Sequence, residues 1–364
     1  MARISLQNLR HSYLDVPKGE DDWALKRINV EWSDGGAYAL LGPSGCGKTT
    51  LLSIISGLLT PTEGRVEFDG EEVTDIPPDR RNIAQVFQFP VVYDTMTVYD
   101  NLAFPLRNRG MAEVELDKKV REIAAMLDLG DTLKKRASGL TADGKQKISL
   151  GRGLVRSDVN AILFDEPLTV IDPHLKWILR SKLKELHQRI GTTMIYVTHD
   201  QTEALTFADQ VVVMHEGTVV QIGTPIDLFE RPKHTFVGHF IGSPGMNVLP
   251  CTIEGTMLYF DGVPVPTEHP APGPVPGNSS AQRLEIGVRP EFVSFVEDGA
   301  EDGIPVEIVK LSDVGRYQIV ELRRGEHLIK LLAPEGAALP SESAHIRFDP
   351  AHTRIYADGW LMAP

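Results

Sequence analysis

The segment Gly42-Pro43-Ser44-Gly45-Cys46-Gly47-Lys48-Thr49-Thr50 has the glycine spacing and the lysine of a phosphate-binding loop. An apolar run precedes it and the apolar-rich segment 51–59 follows it, so the pattern predicts a strand, a loop and a helix. In such a loop, backbone N–H groups close around phosphate oxygens and the helix N-terminus adds its positive dipole end. Lys48 is predicted to neutralise β and γ oxygens, and Thr49 to offer its hydroxyl to Mg²⁺. The loop therefore indicates a nucleoside triphosphate site, and a plain glycine turn is the less favoured interpretation.

A pair of acids follows a second apolar run. Residues 161–164 are apolar, and Asp165 and Glu166 come directly after them, at the carboxyl edge of a predicted sheet where ligands bind. We expect Asp165 to hold Mg²⁺ and Glu166 to polarise the water that attacks the γ-phosphate. An acid pair after a strand is by itself more often a helix N-cap. The prediction therefore depends on the phosphate loop upstream.

Two more predicted strands end on polar residues. His199 follows the apolar run that includes Tyr196 and Val197, and Gln88 follows Val86 and Phe87. We predict that His199 contacts the γ-phosphate and that Gln88 contacts Mg²⁺ and the attacking water. The alternatives are a solvated or core histidine and an ordinary loop amide.

Composition limits the classes of function. The 364 residues suffice for two or three domains of about 100–200 residues. A formal net charge of −13 argues against a sequence-independent grip on nucleic acid, because Lys and Arg supply that grip, so we expect protein partners and no nucleic acid. The two cysteines, Cys46 and Cys251, indicate no disulfide framework. We expect no secretory leader and no membrane-spanning helix, hence a soluble chain.

The periodicity predicts an α/β fold followed by a β-rich domain. Residues 1–235 are assigned to a nucleotide-binding domain with an inserted helical subdomain at about 90–156, and residues 236–364 to a small β-barrel. A Pro/Gly-rich tract at 266–277 is predicted to be an exposed connection. Predicted strands are 37–41, 83–87, 161–164, 194–197, 211–214, 284–288, 306–311, 318–322 and 345–348, and the subdomain helices are 98–106, 113–127 and 144–154.

These motifs together resemble the ATP-binding cassette (ABC) family, and within it the ATPase subunits of bacterial carbohydrate and polyol importers. The resemblance covers nearly the whole chain. It implies a P-loop NTPase fold with a helical subdomain, a C-terminal regulatory domain of the TOBE or OB type, ATP and Mg²⁺ as cofactors, and ATP hydrolysis. The matching residues are the phosphate loop, Gln88 at the Q-loop position, Asp165 and Glu166, Asp172 in Thr169-Val170-Ile171-Asp172-Pro173 at the D-loop, and the switch histidine His199.

The resemblance also implies a stacking site for adenine. In the family an aromatic residue near the N-terminus takes this role, and Tyr13 matches its position. Trp23 is a weaker rival, and either ring could instead belong to the core. Three segments outside the nucleotide site resemble the carbohydrate importers more specifically: 96–106, 240–247 and 287–291.

The same resemblance implies membrane partners. We expect two transmembrane permease subunits, an indirect link to an external solute-binding protein, and peripheral attachment to the cytoplasmic face of the bacterial inner membrane. Segment 89–106, in which the rings of Tyr93 and Tyr99 are expected to be exposed, is the candidate groove for a permease helix. Glycerol or another polyol is the suggested cargo. The alternatives are a homodimeric sugar-importer ATPase and an ABC ATPase without a transport role.

One motif departs from the family. Its signature, L-S-G-G-Q, aligns with Leu140-Thr141-Ala142-Asp143-Gly144, which loses two glycines and gains a carboxylate. In cassette dimers this segment meets the partner's γ-phosphate, and Asp143 would repel it by ~1–4 kcal/mol at 4 Å. We therefore expect a poor signature and a heterodimer with a second, non-identical ATPase subunit. A second alignment, on residues 137–140, keeps Ser-Gly but needs a shift of the helix.

Overall fold

The computed structural model describes residues 2–156, 158–269, 283–298, 300 and 302–362. The chain divides into two compact units, residues 1–225 and 226–364. The boundary predicted from the sequence, between 235 and 236, stays a prediction. Of the predicted Pro/Gly connection, residues 270–277 lie outside the described residues. Within the described part of the chain, no helix has both the length and the apolar character that crossing a bilayer requires.

The first unit contains two sheets and the helices that pack on them. Its strands are β1 (Ile4–His11), β2 (Leu25–Trp32), β3 (Ala37–Leu41), β4 (Glu63–Phe68), β5 (Glu71–Glu72), β6 (Ile83–Val86), β7 (Ala161–Asp165), β8 (Met194–Thr198), β9 (Gln210–His215) and β10 (Thr218–Gly223). Its helices are α1 (Lys48–Ser56), α2 (Val98–Arg107), α3 (Glu113–Met126), α4 (Ala142–Leu154), α5 (Pro173–Ile190) and α6 (Gln201–Phe207).

The central sheet has the order β10-β9-β3-β8-β7-β6. Its strands from β9 to β6 pair in parallel, and β10 adds an antiparallel edge. Every residue of β3 and β8 is buried, which explains their continuous apolar sequence, because both faces of a parallel sheet are covered. The predicted α/β fold class is confirmed, and the predicted strands of this sheet differ from the observed ones by one residue at some ends.

A second, antiparallel sheet escaped the sequence analysis. It has the order β2-β1-β4-β5 and contributes Ile4, Leu6 and Trp32 to the same core as β3. The signal was present, because Ile4 and Leu6, and Ile28, Val30 and Trp32, alternate with polar residues. The alternation in β1 is interrupted after Leu6, whereas the strands of the central sheet have unbroken apolar runs, which are the clearer signal.

The predicted helical subdomain is present as α2, α3 and α4. Thr97 caps α2 by accepting a hydrogen bond from the backbone N–H of Asp100. Thr141 caps α4 in the same way through the N–H of Gly144. Helix α4 therefore begins at Ala142, so the sequence prediction of a start at 144 was wrong. The hydroxyl at position 141 supplied a capping signal that the prediction did not use.

Arg81 fastens the C-terminal end of α1. Its side chain is 2% exposed, and its guanidinium donates to the carbonyl oxygens of Ile54 and Ile55 in the last turn of the helix. Two further bonds go to the carbonyls of Thr74 and Ile76. A cation at this end complements the helix dipole. The helix that begins in the phosphate loop is thus held at its far end.

The second unit is rich in β-strands. Its elements are α7 (Pro225–Glu230), α8 (Thr235–Phe240), β11 (Asn247–Pro250), β12 (Thr252–Glu254), β13 (Met257–Phe260), β14 (Val263–Val265), β15 (Leu284–Val288), β16 (Val293–Val296), β17 (Ile304–Asp313), β18 (Tyr317–Arg324), β19 (His327–Pro334), β20 (Ser343–Phe348), β21 (Arg354–Ala357) and β22 (Trp360–Leu361). The described strands form three antiparallel sheets, of four, three and five strands. Phe260, Ile286, Val320 and Phe348 bring all three sheets to one apolar core.

Arg289 gives the segment 287–291 a structural role. It is 3% exposed, lies 3.9 Å over the Phe229 ring and donates to the carbonyls of Leu228, Phe229 and Ile241. Burial lowers the pKa of Arg289 to about 10. The guanidinium therefore joins the ends of α7 and α8 to the sheet that contains β15.

We expect Arg289→Met to destabilise the second unit by about 3 kcal/mol, because buried carbonyl groups lose their donors. Urea unfolding followed by circular dichroism measures the change. Arg323→Met, at an exposed position of β18, is the matched control and should change stability by less than about 0.5 kcal/mol. Equal effects of the two substitutions would contradict the assigned role.

Candidate nucleotide site

Four neighbouring strands bring the predicted polar groups to one edge. β3, β8, β7 and β6 lie side by side and run parallel. The phosphate loop follows β3, His199 follows β8, Glu166 follows β7, and Gln88 lies two residues beyond the end of β6. Because parallel strands end at the same edge, the pairing collects residues that are far apart in the sequence.

The glycines of the loop are required by its geometry. A Cβ on Gly42 would lie 2.3 Å from the carbonyl oxygen of Met214. Gly47 has φ +98°, and a Cβ there would lie 2.5 Å from a methyl carbon of Leu25. Gly47 is also the residue that precedes α1, so the loop turns directly into the helix N-terminus. The backbone therefore has the close path and the free N–H groups that bind phosphate.

Lys48 lies inside the loop. It is 5% exposed, and its ammonium donates to the carbonyl oxygens of Gly42 and Pro43, each at 2.8 Å. The Cys46 sulfur lies 3.9 Å from the same nitrogen. Burial raises the pKa of the Cys46 thiol, as is typical of a small buried loop residue and not of a nucleophile.

Thr49 and Asp165 lie within one hydrogen bond of each other. The Thr49 hydroxyl donates to Asp165 Oδ1 at 3.3 Å. Burial raises the pKa of Asp165, Glu166 raises it further, and the Thr49 hydroxyl and Lys48 oppose the change. The hydroxyl and carboxylate are hard oxygen donors that fit Mg²⁺, which usually binds through few protein groups plus phosphates and water.

Glu166 and His199 form the second contact at this edge. His199 Nδ1 lies 3.1 Å from Glu166 Oε1, and the Thr169 hydroxyl donates to Glu166 Oε2 at 3.2 Å. Glu166 has φ +45°, and its N–H donates to the Val197 carbonyl at 3.0 Å. A left-handed backbone in a non-glycine residue is strained and is common at functional sites. The turn at Glu166 places its carboxylate next to His199.

Tyr13 and Trp23 have different surroundings. Tyr13 is 67% exposed, its hydroxyl lies 3.0 Å from that of Thr50, and its ring meets the His11 ring edge-on at 4.7 Å. The guanidinium of Arg10 lies 3.7 Å over the ring of Trp23 and covers that face. Tyr13 is therefore the ring that lies at the phosphate loop and is open to a base, which favours it over Trp23.

The two remaining predicted segments form helix ends. Asp172 caps α5 by accepting a hydrogen bond from the N–H of His174 at 3.0 Å, and its D-loop role stays a prediction. Leu140 precedes Thr141, the cap of α4, and Ala142, Asp143 and Gly144 form the first turn of that helix. The shifted alignment falls on a 3₁₀ turn at Ala137–Gly139, ahead of the α4 cap.

Asp143 is turned towards its own helix. Its Oδ2 lies 3.8 Å from the ammonium of Lys147, one turn further along α4. Its Oδ1 is buried and has no hydrogen-bond partner in the part of the chain that the structure describes. Lys147 thus offsets part of the negative charge that the sequence analysis assigned to the signature.

Sequence reasoning missed the buried polar residues behind the site. Glu203, on α6, accepts hydrogen bonds from the hydroxyls of Tyr196 and Thr198 and lies 3.7 Å from the Lys176 ammonium. It therefore supports the strand end before His199. The available signal was an acid four residues after His199 at the first turn of a short helix. Gln146, on α4, is a second buried polar residue that the sequence analysis did not predict.

Comparison with known proteins agrees with this geometry. The profile described as ABC transporter matches residues 25–169. The chain is 39% identical over 332 residues to the sn-glycerol-3-phosphate import ATP-binding protein UgpC of Bordetella avium, covering 90% of this chain and 88% of that protein. The protein of the same name from Yersinia pestis is 37% identical over 360 residues, covering 98% and 97%.

The chain belongs to the ABC transporter family. Two solved structures share the fold of this ABC protein at 28% identity. CbiO1 from Clostridium perfringens, described as part of the ABC transporter complex cbiONQ, has a TM-score of 0.56 and covers 63% of this chain and 90% of its own. The ATP-binding cassette MJ0796, in a dimeric post-hydrolysis state bound to ADP and Pi, has a TM-score of 0.54 and covers 61% and 98%. The P-loop NTPase fold, the binding of ATP and the ATPase activity follow from this membership.

For this ABC ATPase we expect Tyr13→Ala to weaken ATP binding at least about fivefold, because base stacking on an aromatic ring contributes ~1–3 kcal/mol. Tyr13→Phe should bind like the unmodified protein, because it keeps the ring. Trp23→Ala is the matched control and should change affinity by less than about twofold. Isothermal titration with ATP and Mg²⁺ measures each value. A larger loss for Trp23→Ala would assign the stacking role to that residue.

Proposed function

We propose that this chain is the ATP-hydrolysing subunit of an importer for a polyol, a polyol phosphate or a related carbohydrate. The observation that carries the proposal is the meeting of the phosphate loop, the Thr49–Asp165 pair and the Glu166–His199 pair at one sheet edge. The import role and the solute class are supported by relatives named for sn-glycerol-3-phosphate import, which match almost the full length. Glycerol, the cargo suggested from the sequence, is one member of this class of solutes.

The residues divide the chemistry between binding and water activation. The loop amides and Lys48 bind the phosphates, and Thr49, Asp165 and Gln88 are proposed to hold Mg²⁺. The bound ion would neutralise charge on the phosphates. Glu166 orients the attacking water, and His199 holds the carboxylate of Glu166 and contacts the γ-phosphate. Because no covalent intermediate is needed, positioning and charge stabilisation account for the rate.

The permease groove is proposed on the surface that follows Gln88. Phe89 and Tyr93 are 68% and 41% exposed, and a cavity of about 210 Å³ is lined by residues that include Phe87, Val91 and Arg152. Tyr99 is half-buried, so the sequence expectation of an exposed ring there was wrong. Exposed rings beside a cavity suit the apolar face of a short helix from a membrane partner.

Family membership implies permease subunits as partners. We propose two such subunits, attachment of this chain to the cytoplasmic face of the inner membrane, an indirect link to an external solute-binding protein, and a regulatory role for the second unit. The relatives named for import favour this function over an ABC ATPase without transport.

The subunit composition of the cassette dimer is a separate part of the proposal. The comparisons do not support a second, non-identical ATPase subunit. The argument for one comes from this chain alone: Ala142 and Asp143 stand where the family has glycines, and Lys147 at 3.8 Å offsets only part of the carboxylate charge. We therefore propose a heterodimer whose partner supplies the effective signature for this chain's Glu166.

We expect Glu166→Gln to slow ATP hydrolysis by ~10²–10⁴-fold, because the group that orients water is lost, with ATP affinity nearly unchanged. In cells whose own copy is deleted, the unmodified gene should restore uptake of radiolabelled glycerol 3-phosphate or glycerol, and Glu166→Gln should not. Glu185→Gln makes the same charge change at an exposed position of α5 and should behave like the unmodified protein. Full uptake with Glu166→Gln would show that Glu166 is misassigned.

We expect the purified chain to hydrolyse ATP slowly alone and faster when mixed with the cassette encoded beside it. Replacing Ala142 and Asp143 together by glycine should raise the rate of the chain alone at least about tenfold, because the backbone can approach phosphate and the carboxylate is removed. Steady-state phosphate release measures the rate of the chain alone, of the mixture and of the doubly substituted chain. Fast, cooperative hydrolysis by the unmodified chain alone would instead establish a homodimer.

A further inference from the structure

Gln146 occupies an unusual position for an amide. It lies on α4, two residues beyond the signature segment, and its side chain is fully buried at 0% exposure. A buried amide is retained only where its hydrogen bonds are made or where it has a task. Gln146 makes bonds on one side only, because its Oε1 has no hydrogen-bond partner among the described residues.

The amide nitrogen joins the two loops that flank the proposed water. Nε2 donates to the carbonyl oxygen of Pro167 at 2.7 Å and to that of Phe87 at 3.2 Å. Pro167 directly follows Glu166, and Phe87 directly precedes Gln88. One side chain on α4 therefore binds the backbone next to both residues that are proposed to orient the attacking water.

Both loops need such an anchor. The β6 and β7 strands pair only as far as Val86 and Phe164, so the backbone around Gln88 and Glu166 lies beyond their shared ladder. Glu166 is strained at φ +45°, and its backbone bonds to the Val197 carbonyl and to the Thr169 N–H. The bond from Gln146 to Pro167 holds the next residue of the same turn.

We propose that Gln146 is a positioning residue that sets the relative placement of Gln88 and Glu166 and links it to the position of α4; this inference rests on the proposed hydrolytic function. Because the cap of α4 is Thr141 in the signature segment, a movement of that segment is transmitted to both loops through one amide. Gln146 itself does not touch the nucleotide. It acts on the rate through the two loop residues.

The test uses Gln146→Met in the purified full-length chain. Methionine has a similar volume and no donor, so it removes both bonds while filling the site. We expect the single-turnover rate of ATP hydrolysis, with protein in excess, to fall about tenfold or more because Gln88 and Glu166 lose their alignment. We expect the dissociation constant of ATP with Mg²⁺ to change less than about threefold, because the phosphate loop is untouched.

Gln146→Glu adds a readout that a purely structural role would not change. A neutral carboxyl can donate to Pro167, whereas a carboxylate cannot donate and faces two carbonyl oxygens. Burial raises the pKa of such a group, so the neutral form persists at higher pH than for an exposed glutamate. The rate of Gln146→Glu relative to the unmodified chain should therefore rise as the pH falls, while the same ratio for Gln146→Met should stay flat.

Asn247 provides the matched control. It is also a buried amide, and its side chain donates to the Lys330 carbonyl and accepts from the Lys330 N–H, within the second unit. Asn247→Leu should lower the melting temperature but leave the single-turnover rate nearly unchanged.

Three outcomes overturn the inference: an unchanged rate in Gln146→Met, an equal fall of rate in Asn247→Leu, or a parallel loss of ATP affinity. Absence of ATP binding by the unmodified chain would instead refute the proposed function.

Discussion

The site depends on the parallel register of β3, β8, β7 and β6. Each strand contributes one polar element at its carboxyl end, and the shared register brings these elements together. A shift of one residue in this register would turn every side chain of a strand to the other face of the sheet. The continuous burial of β3 and β8 prevents such a shift, because their side chains are packed on both faces. Apolar packing thereby determines where the charged groups meet.

Several buried polar residues hold the ends of these elements. Arg81 binds the last turn of α1, Glu203 supports the end of β8, and Gln146 joins the loops after β6 and β7. Each bonds to backbone or hydroxyl groups in the interior, where a polar group left without a partner costs ~1–3 kcal/mol. These residues hold the backbone on either side of the proposed catalytic groups. The strain at Glu166 persists because the surrounding bonds outweigh it.

The signature segment shows how local and tertiary effects combine. From the sequence, Asp143 is a carboxylate placed where phosphate must approach. In the structure Lys147 lies 3.8 Å from it and Thr141 still caps α4, so the segment keeps the start of a helix while losing the glycine backbone. The Asp143–Lys147 pair does not change the steric effect of Ala142. The methyl group carries no charge, and it still occupies the space that a glycine would leave open.

The sequence by itself determined the phosphate loop, the acid pair, the strands of the parallel sheet and the three subdomain helices. These features depend on interactions between residues close in the chain: glycine conformations, helix caps and unbroken apolar runs. The tertiary structure alone decided that Tyr13 rather than Trp23 has an open ring, that β1 pairs with β2 and β4 in a second sheet, and that Gln146 joins two loops. Those outcomes depend on contacts between segments far apart in sequence, such as Arg10 on Trp23 and Gln146 on Phe87 and Pro167, and no local pattern encodes which distant group will arrive.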